Sequence, residues 1–161
     1  GLEGRLELLK NYKGIKIYND NNATTPEATI AGIEALSNLD KSSSQKISAR
    51  KVLAEKKGGI ILICGGADKN LPLDNFVEVV NKNCKAVVLL KGTGTDRLIK
   101  NYELKIENKI VDNLKDAIKI SLGLSSQSDV ILFSPAFASF GMFNNEYERN
   151  DLFIKIIKGL K

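Results

Sequence analysis

The sequence predicts an α/β domain: a Rossmann-like, three-layer fold with a mostly parallel sheet of about six strands. Three observations predict it. Short runs of branched aliphatic residues recur along the chain, segments with helical periodicity separate them, and 161 residues at 43% hydrophobic and 27% charged suit one core. Gly59-Ile60-Ile61-Leu62-Ile63-Cys64, Ala86-Val87-Val88-Leu89-Leu90 and Asp129-Val130-Ile131-Leu132-Phe133 are continuous apolar runs. Strands buried on both faces of a parallel sheet read this way, because neither face turns to water.

Taken in order, Arg5 to Lys10 and Ile15 to Tyr18 flank Asn11-Tyr12-Lys13-Gly14, which reads as a hairpin turn and adds one antiparallel strand. Pro26 to Leu36 sets Ile30, Ile33 and Leu36 on one helical stripe. Thr25 supplies a capping hydroxyl ahead of a proline at the first helical position. Asp40 to Lys57, with Lys41-Ser42-Ser43-Ser44-Gln45, reads as a polar loop and the most mobile segment, recovering helix near Ala49 to Glu55. Leu73 to Val80 offers Phe76, Val77 and Val80 to a core, and Asn113 to Leu122 offers Leu114, Ala117, Ile118 and Leu122. A weaker strand falls near Leu104 to Val111, and Phe153, Ile154, Ile156 and Ile157 mark a closing helix. No internal repeat is visible.

Composition excludes whole classes of chemistry. Histidine is absent, which removes His relays, catalytic triads and His-containing zinc sites from this chain. Chemistry must therefore use carboxylates, lysines, hydroxyls, backbone amides or a bound cofactor, and no metal site is expected. The net charge of +5 comes from 20 Lys against 4 Arg, scattered along the chain, with 6% aromatic residues and no Trp. That pattern reads as a solvated surface rather than a nucleic-acid reader, which leans on Arg forks and stacking platforms. Cys64 and Cys84 are too few for a disulfide framework and read as reduced thiols of a cytoplasmic protein. No run approaches the roughly 18 apolar residues of a membrane span, and no secretory leader is expected.

In open α/β sheets the working surface lies at the carboxyl ends of the strands. Three loops there carry unusual chemistry. Asn19-Asp20-Asn21-Asn22-Ala23-Thr24-Thr25 holds more polar residues than a helix cap needs, although turns also tolerate Asn and Asp. Gly65-Gly66-Ala67-Asp68-Lys69-Asn70 combines a glycine pair, which admits close backbone approach, with a cation for an anionic ligand. Glycines also simply end strands, and the similar Lys91-Gly92-Thr93-Gly94-Thr95 has that structural reading, with Thr95 or Asp96 capping the next helix. The third loop, Ser134 to Phe143, brings two hydroxyls toward a helix N-terminus suited to a carboxylate or phosphate, with Phe137, Phe140 and Phe143 lining the approach. Ser139 also reads as the N-cap of the closing helix. Together the loops would grip a small dicarboxylate or a phosphate without an acid–base pair.

These loops resemble the C-terminal domain of the Mur ligases, and within that family the branch that adds D-glutamate. The resemblance rests on Asn19-Asp20 followed by Ala23 to Ala31, on Gly65-Gly66 with Asp68-Lys69, and on Ser134-Pro135-Ala136 with Ser139-Phe140 and Phe143 to Arg149. Gly1-Leu2-Glu3 with Arg5-Leu6-Glu7 resembles the segment joining that family's central ATPase domain to its last domain. The likeness runs from Gly1 to about Phe153. It implies that residues 1–161 are one glutamate-binding domain of a cytoplasmic enzyme whose UDP-binding N-terminal and ATPase central domains lie outside this chain. The reaction it implies uses ATP and Mg2+ to make an acyl phosphate of UDP-N-acetylmuramoyl-L-alanine, which the amine of D-glutamate attacks to form an amide.

The same resemblance gives Lys69 and Thr24 one glutamate carboxylate, and Ser139 with the backbone at Phe140 the other. It gives Arg5 the ATP phosphates on domain closure and sets Asp20 near the ribose. The chain departs from the family pattern at Asn21 and Asn22, where Ser and Lys are frequent, and at Gly4, Asn144 and Asn150, where His, Lys and Gly are frequent. Nucleotide contacts are thereby weaker than substrate contacts. No Gly-x-x-x-x-Gly-Lys-Ser/Thr loop occurs, so the domain alone is expected to be inactive and to hold no nucleotide tightly. Two other readings stand beside this one. A stand-alone nucleotide-binding module would bind nucleotide without responding to D-glutamate, and a nucleic-acid-binding domain would lose affinity steeply with salt.

Overall fold

The computed structural model describes residues 2–45 and 58–161, with side chains described outside 40–45. Strand β1 (Glu7–Tyr12) and strand β2 (Ile15–Asn19) form the hairpin. Its turn is only Lys13-Gly14, both left-handed at φ 52° and 85°, the two-residue geometry whose twist matches paired strands. Helix α1 (Pro26–Gln45) follows, then β3 (Ile60–Cys64), α2 (Asp74–Asn83), β4 (Cys84–Leu90), α3 (Thr93–Asn101), β5 (Glu107–Val111), α4 (Leu114–Leu124), β6 (Val130–Phe133) and α5 (Glu146–Lys158). The sheet runs β1-β2-β6-β3-β4-β5, and every pairing except β1 with β2 is parallel.

Side chains alternate between two cores because successive residues of a strand face opposite ways. Ile61 and Ile63 join Ile17, Phe133, Ala117, Phe153 and Ile157 on the α4 and α5 side. Ile60, Leu62 and Cys64 join Ile33, Phe76, Val80 and Leu98 on the α1, α2 and α3 side. Phe133 stacks on Phe153 at 4.3 Å between centroids, anchoring α5 to the strand that leads into the third loop.

Several expectations shift in detail. Residues 40–45 continue α1 rather than opening a loop, since the Ser-rich run extends an already nucleated helix; the expectations of mobility and recovered helix for 46–57 fall outside the described residues. Helix α3 begins at Thr93, earlier than a Thr95 or Asp96 cap allows. The Thr95 hydroxyl turns back to donate to the Leu90 carbonyl, and the α3 N-terminus has no side-chain cap. The closing helix is capped by Asn145, whose side chain accepts from the Glu148 N–H at 2.9 Å, so Ser139 is not its N-cap. Thr25 does cap α1, accepting from the Ala28 N–H at 3.2 Å, with Pro26 next in the chain.

Candidate functional site

Sheet order decides which loops can meet. From β3 the chain steps outward through β4 to β5, then returns to lay β6 between β3 and β2. The loops after β2, β6 and β3 therefore emerge side by side, and those after β3 and β6 lead to helices on opposite faces. Such a reversal opens a crevice at the strands' carboxyl ends.

Backbone hydrogen bonds stitch the loops together. The Ala136 N–H donates to the Ala23 carbonyl at 2.9 Å, joining the third loop to the first one residue before Thr24. Ala67 and Ala138 exchange bonds of 3.0 and 3.1 Å, which sets Ser139 beside a bridge to the second loop and Lys69 two residues beyond it. Gly66 has a structural reason that the sequence reading gave to a ligand. Its φ is +151°, and a Cβ there would stand 2.3 Å from the Ala138 carbonyl oxygen, so the close approach is by the third loop.

The first loop is fixed from inside. Arg149 is 1% exposed, and its Nε donates to Asn21 Oδ1 at 2.8 Å while Nη2 and Nη1 donate to the Asn21 and Phe137 carbonyls at 3.2 and 3.4 Å. Burial pushes the guanidinium down to about 10, with Glu146 opposing, so it stays cationic at neutral pH. Asn21 also donates to the Glu146 carbonyl, and Asn19 donates to Asn150 Oδ1 at 2.8 Å. Asn150 in turn donates to Glu3 Oε1 at 2.9 Å, tying the N-terminal segment to α5.

Asp20, assigned a place near a ribose, has both carboxylate oxygens engaged within the chain. Oδ1 accepts from the Leu6 N–H at 3.1 Å and Oδ2 from the Ser134 hydroxyl at 2.8 Å. Burial pushes this carboxyl above the ordinary range, against the opposing effect of those two bonds and of the Arg5 charge. Arg5 itself is exposed on the segment that Asp20 pins.

Three of the expected residues keep their polar groups available. Lys69 is exposed and has no side-chain partner among the described residues. Ser139 is 6% exposed, yet its hydroxyl likewise lacks a partner, and so does that of half-buried Thr24. The Ser139 oxygen is not sealed away with an unmet hydrogen bond, so the hydroxyl is open to accept from or donate to a ligand at the surface. Phe140 is 66% exposed, whereas Phe137 and Phe143 are buried and do not line an approach. Ser139 lies in the loop seven residues before α5, so a ligand there would meet loop amides rather than that helix's N-terminus. The grooves beside α2, around Lys82 and Tyr102, and between β1 and α5, around Leu9 and Lys155, include none of these residues.

Sequence reading gave no role to Arg149, Arg97 or Asn19. The signal available was scarcity: with only 4 Arg among 24 basic residues, a position that needs a planar fork stands out.

Comparison with known proteins agrees with this architecture. Residues 4–137 match the family described as "Mur ligase, glutamate ligase domain". The chain is 35% identical over 158 residues to a UDP-N-acetylmuramoylalanine–D-glutamate ligase of Borreliella afzelii, covering 98% of this chain and 31% of that protein. It is 34% identical over 162 residues to the ligase of the same name from Roseiflexus, covering 98% and 30%. The chain thus spans about a third of the length of the curated relatives it matches. The crystal structure of UDP-N-acetylmuramate-alanine ligase from Thermotoga maritima shares the fold at TM-score 0.58 and 18% identity, covering all of this chain and 31% of that one. A family match over most of its length, on a fold shared with another such ligase, shows that the chain belongs to the Mur ligases as their glutamate ligase domain.

Proposed function

We propose that this chain is the D-glutamate-holding domain of an ATP-dependent ligase that joins D-glutamate to UDP-N-acetylmuramoyl-L-alanine. The observation that carries the reading is the trio of available polar groups, Thr24, Lys69 and Ser139, on three loops bonded to one another at neighbouring residues. The names of the relatives support the substrate. Lys69 and Thr24 hold one carboxylate; the Ser139 hydroxyl and the amides around Phe140 hold the other. The free amine is thereby presented to an acyl phosphate formed on domains outside this chain, so the residues here orient a nucleophile rather than transfer protons.

Arg5, exposed ahead of β1, reaches the ATP phosphates when those domains close, and Asp20 lies near the nucleotide ribose while fixing the Leu6 backbone beside Arg5. Among the described residues no three acidic or cysteine side chains converge. The Mg2+ that serves the reaction belongs, in this reading, with the ATP-binding domain outside this chain. The working compartment is the cytoplasm.

The test is steady-state kinetics of the full-length ligase. Lys69→Ala and Ser139→Ala are each expected to raise the KM for D-glutamate about tenfold or more, because a charge-assisted or buried hydrogen bond is lost. An unchanged KM in both variants contradicts the assignment.

A further inference from the structure

Lys69 stands between two stretches of backbone that are both tied down. The Asp68 N–H donates to Thr93 Oγ1 at 2.9 Å, and Asp68 Oδ1 accepts from the Asn70 N–H at 3.0 Å. Asn70 takes a φ of +57°, a left-handed conformation that this short loop bond supports. On the other oxygen, Asp68 Oδ2 forms an ion pair with Arg97 Nε at 2.8 Å that lacks hydrogen-bond alignment, and Arg97 Nη2 donates to the Leu71 carbonyl. One guanidinium on α3 thus holds the chain on either side of Lys69. The Asp68 and Arg97 side chains are only 19% and 26% exposed, so water and salt screen the pair little.

We infer that Arg97 is a positioning residue for Lys69, acting through Asp68 and Leu71, and that α3 sets where the lysine ammonium meets a carboxylate. The inference rests on the reading of Lys69 as a glutamate holder. A lysine carries large rotamer entropy, and a loop free to move would add backbone entropy to what binding must overcome. The brace removes the second part before the ligand arrives. Arginine suits the task because one planar guanidinium sets its charge against a carboxylate while a separate N–H donates to a carbonyl, which a point-charge ammonium on a flexible stem does less well.

The experiment is kinetics on the full-length ligase with Lys69→Ala as reference. Arg97→Gln is expected to raise the KM for D-glutamate about tenfold while leaving kcat at saturation and the KM for ATP within about twofold. Arg97→Lys, which keeps the charge and loses the fork, is expected to recover part of that rise. Thr93→Ala removes the acceptor that the start of α3 offers the Asp68 N–H and is expected to raise the same KM about threefold. If Lys69→Ala raises the KM and Arg97→Gln does not, the positioning role is overturned while the reading of Lys69 stands. If neither raises it, the reading of Lys69 falls as well. A drop in kcat with the D-glutamate KM unchanged also overturns the positioning role. Should Arg97→Gln not fold, Asp68→Asn, which removes the charge that Arg97 pairs with, decides, and an unchanged D-glutamate KM there overturns the positioning role.

Discussion

Asp20 and Asp129 are both nearly buried, yet their surroundings push them in opposite directions. At Asp129 burial alone would raise the carboxyl, but hydrogen bonds from Lys85 and from the Ser126 and Gly59 amides, each 2.7 Å, hold it below the ordinary range. A lowered folded value contributes stability that is present above the unfolded value and lost as pH falls through the folded one. Asp20, raised by burial, has the opposite sign: stability falls as pH climbs from the ordinary carboxylate value through the folded one. Urea unfolding of the chain across pH is expected to show both limbs. Asp129→Asn should flatten the loss below about pH 4, and Asp20→Asn the loss above it. A profile unchanged by either substitution contradicts these environments. Such opposition is invisible in sequence, because the donors to Asp129 come from residues as far away as Gly59 and Lys85.

Among the elements, legibility followed burial pattern. Strands β3, β4 and β6 were readable as continuous apolar runs because helices cover both faces. Strand β5 was faint because it is an edge whose first four residues are exposed, leaving Val111 alone as a core signal. The start of α3 was hidden because the hydroxyl that resembled a cap is spent on the Leu90 carbonyl. The glycine pair was seen, but its reason was not, since the Ala138 oxygen that forbids a side chain at Gly66 lies far along the sequence. Gly66→Ala is therefore expected to cost about 2 kcal/mol or more by denaturant unfolding. A variant as stable as the parent would mean that the two loops do not meet as described. Nothing in the run from Phe143 to Arg149 marks the arginine as buried, because its partners, Asn21 and Phe137, belong to other loops.

At the scale of the whole molecule, the return of β6 between β2 and β3 converts three separate polar loops into one surface. Thr24, Lys69 and Ser139 were legible as residues with chemistry to spare; that their loops bond at adjacent positions follows from strand order, which periodicity does not encode. The central claim is that this surface holds the two carboxylates of glutamate at separate anchors. The most direct measurement is an amide chemical-shift titration of the labelled chain with D-glutamate and with D-glutamine, whose side-chain carboxylate is replaced by a neutral amide. D-glutamate is expected to shift amides at Thr24, Gly66 to Asn70 and Ser139 to Gly141, and D-glutamine to lose the shifts at one anchor while keeping those at the other. Equal shifts from both ligands, or shifts confined to the α2 groove around Lys82 and Tyr102, would contradict it.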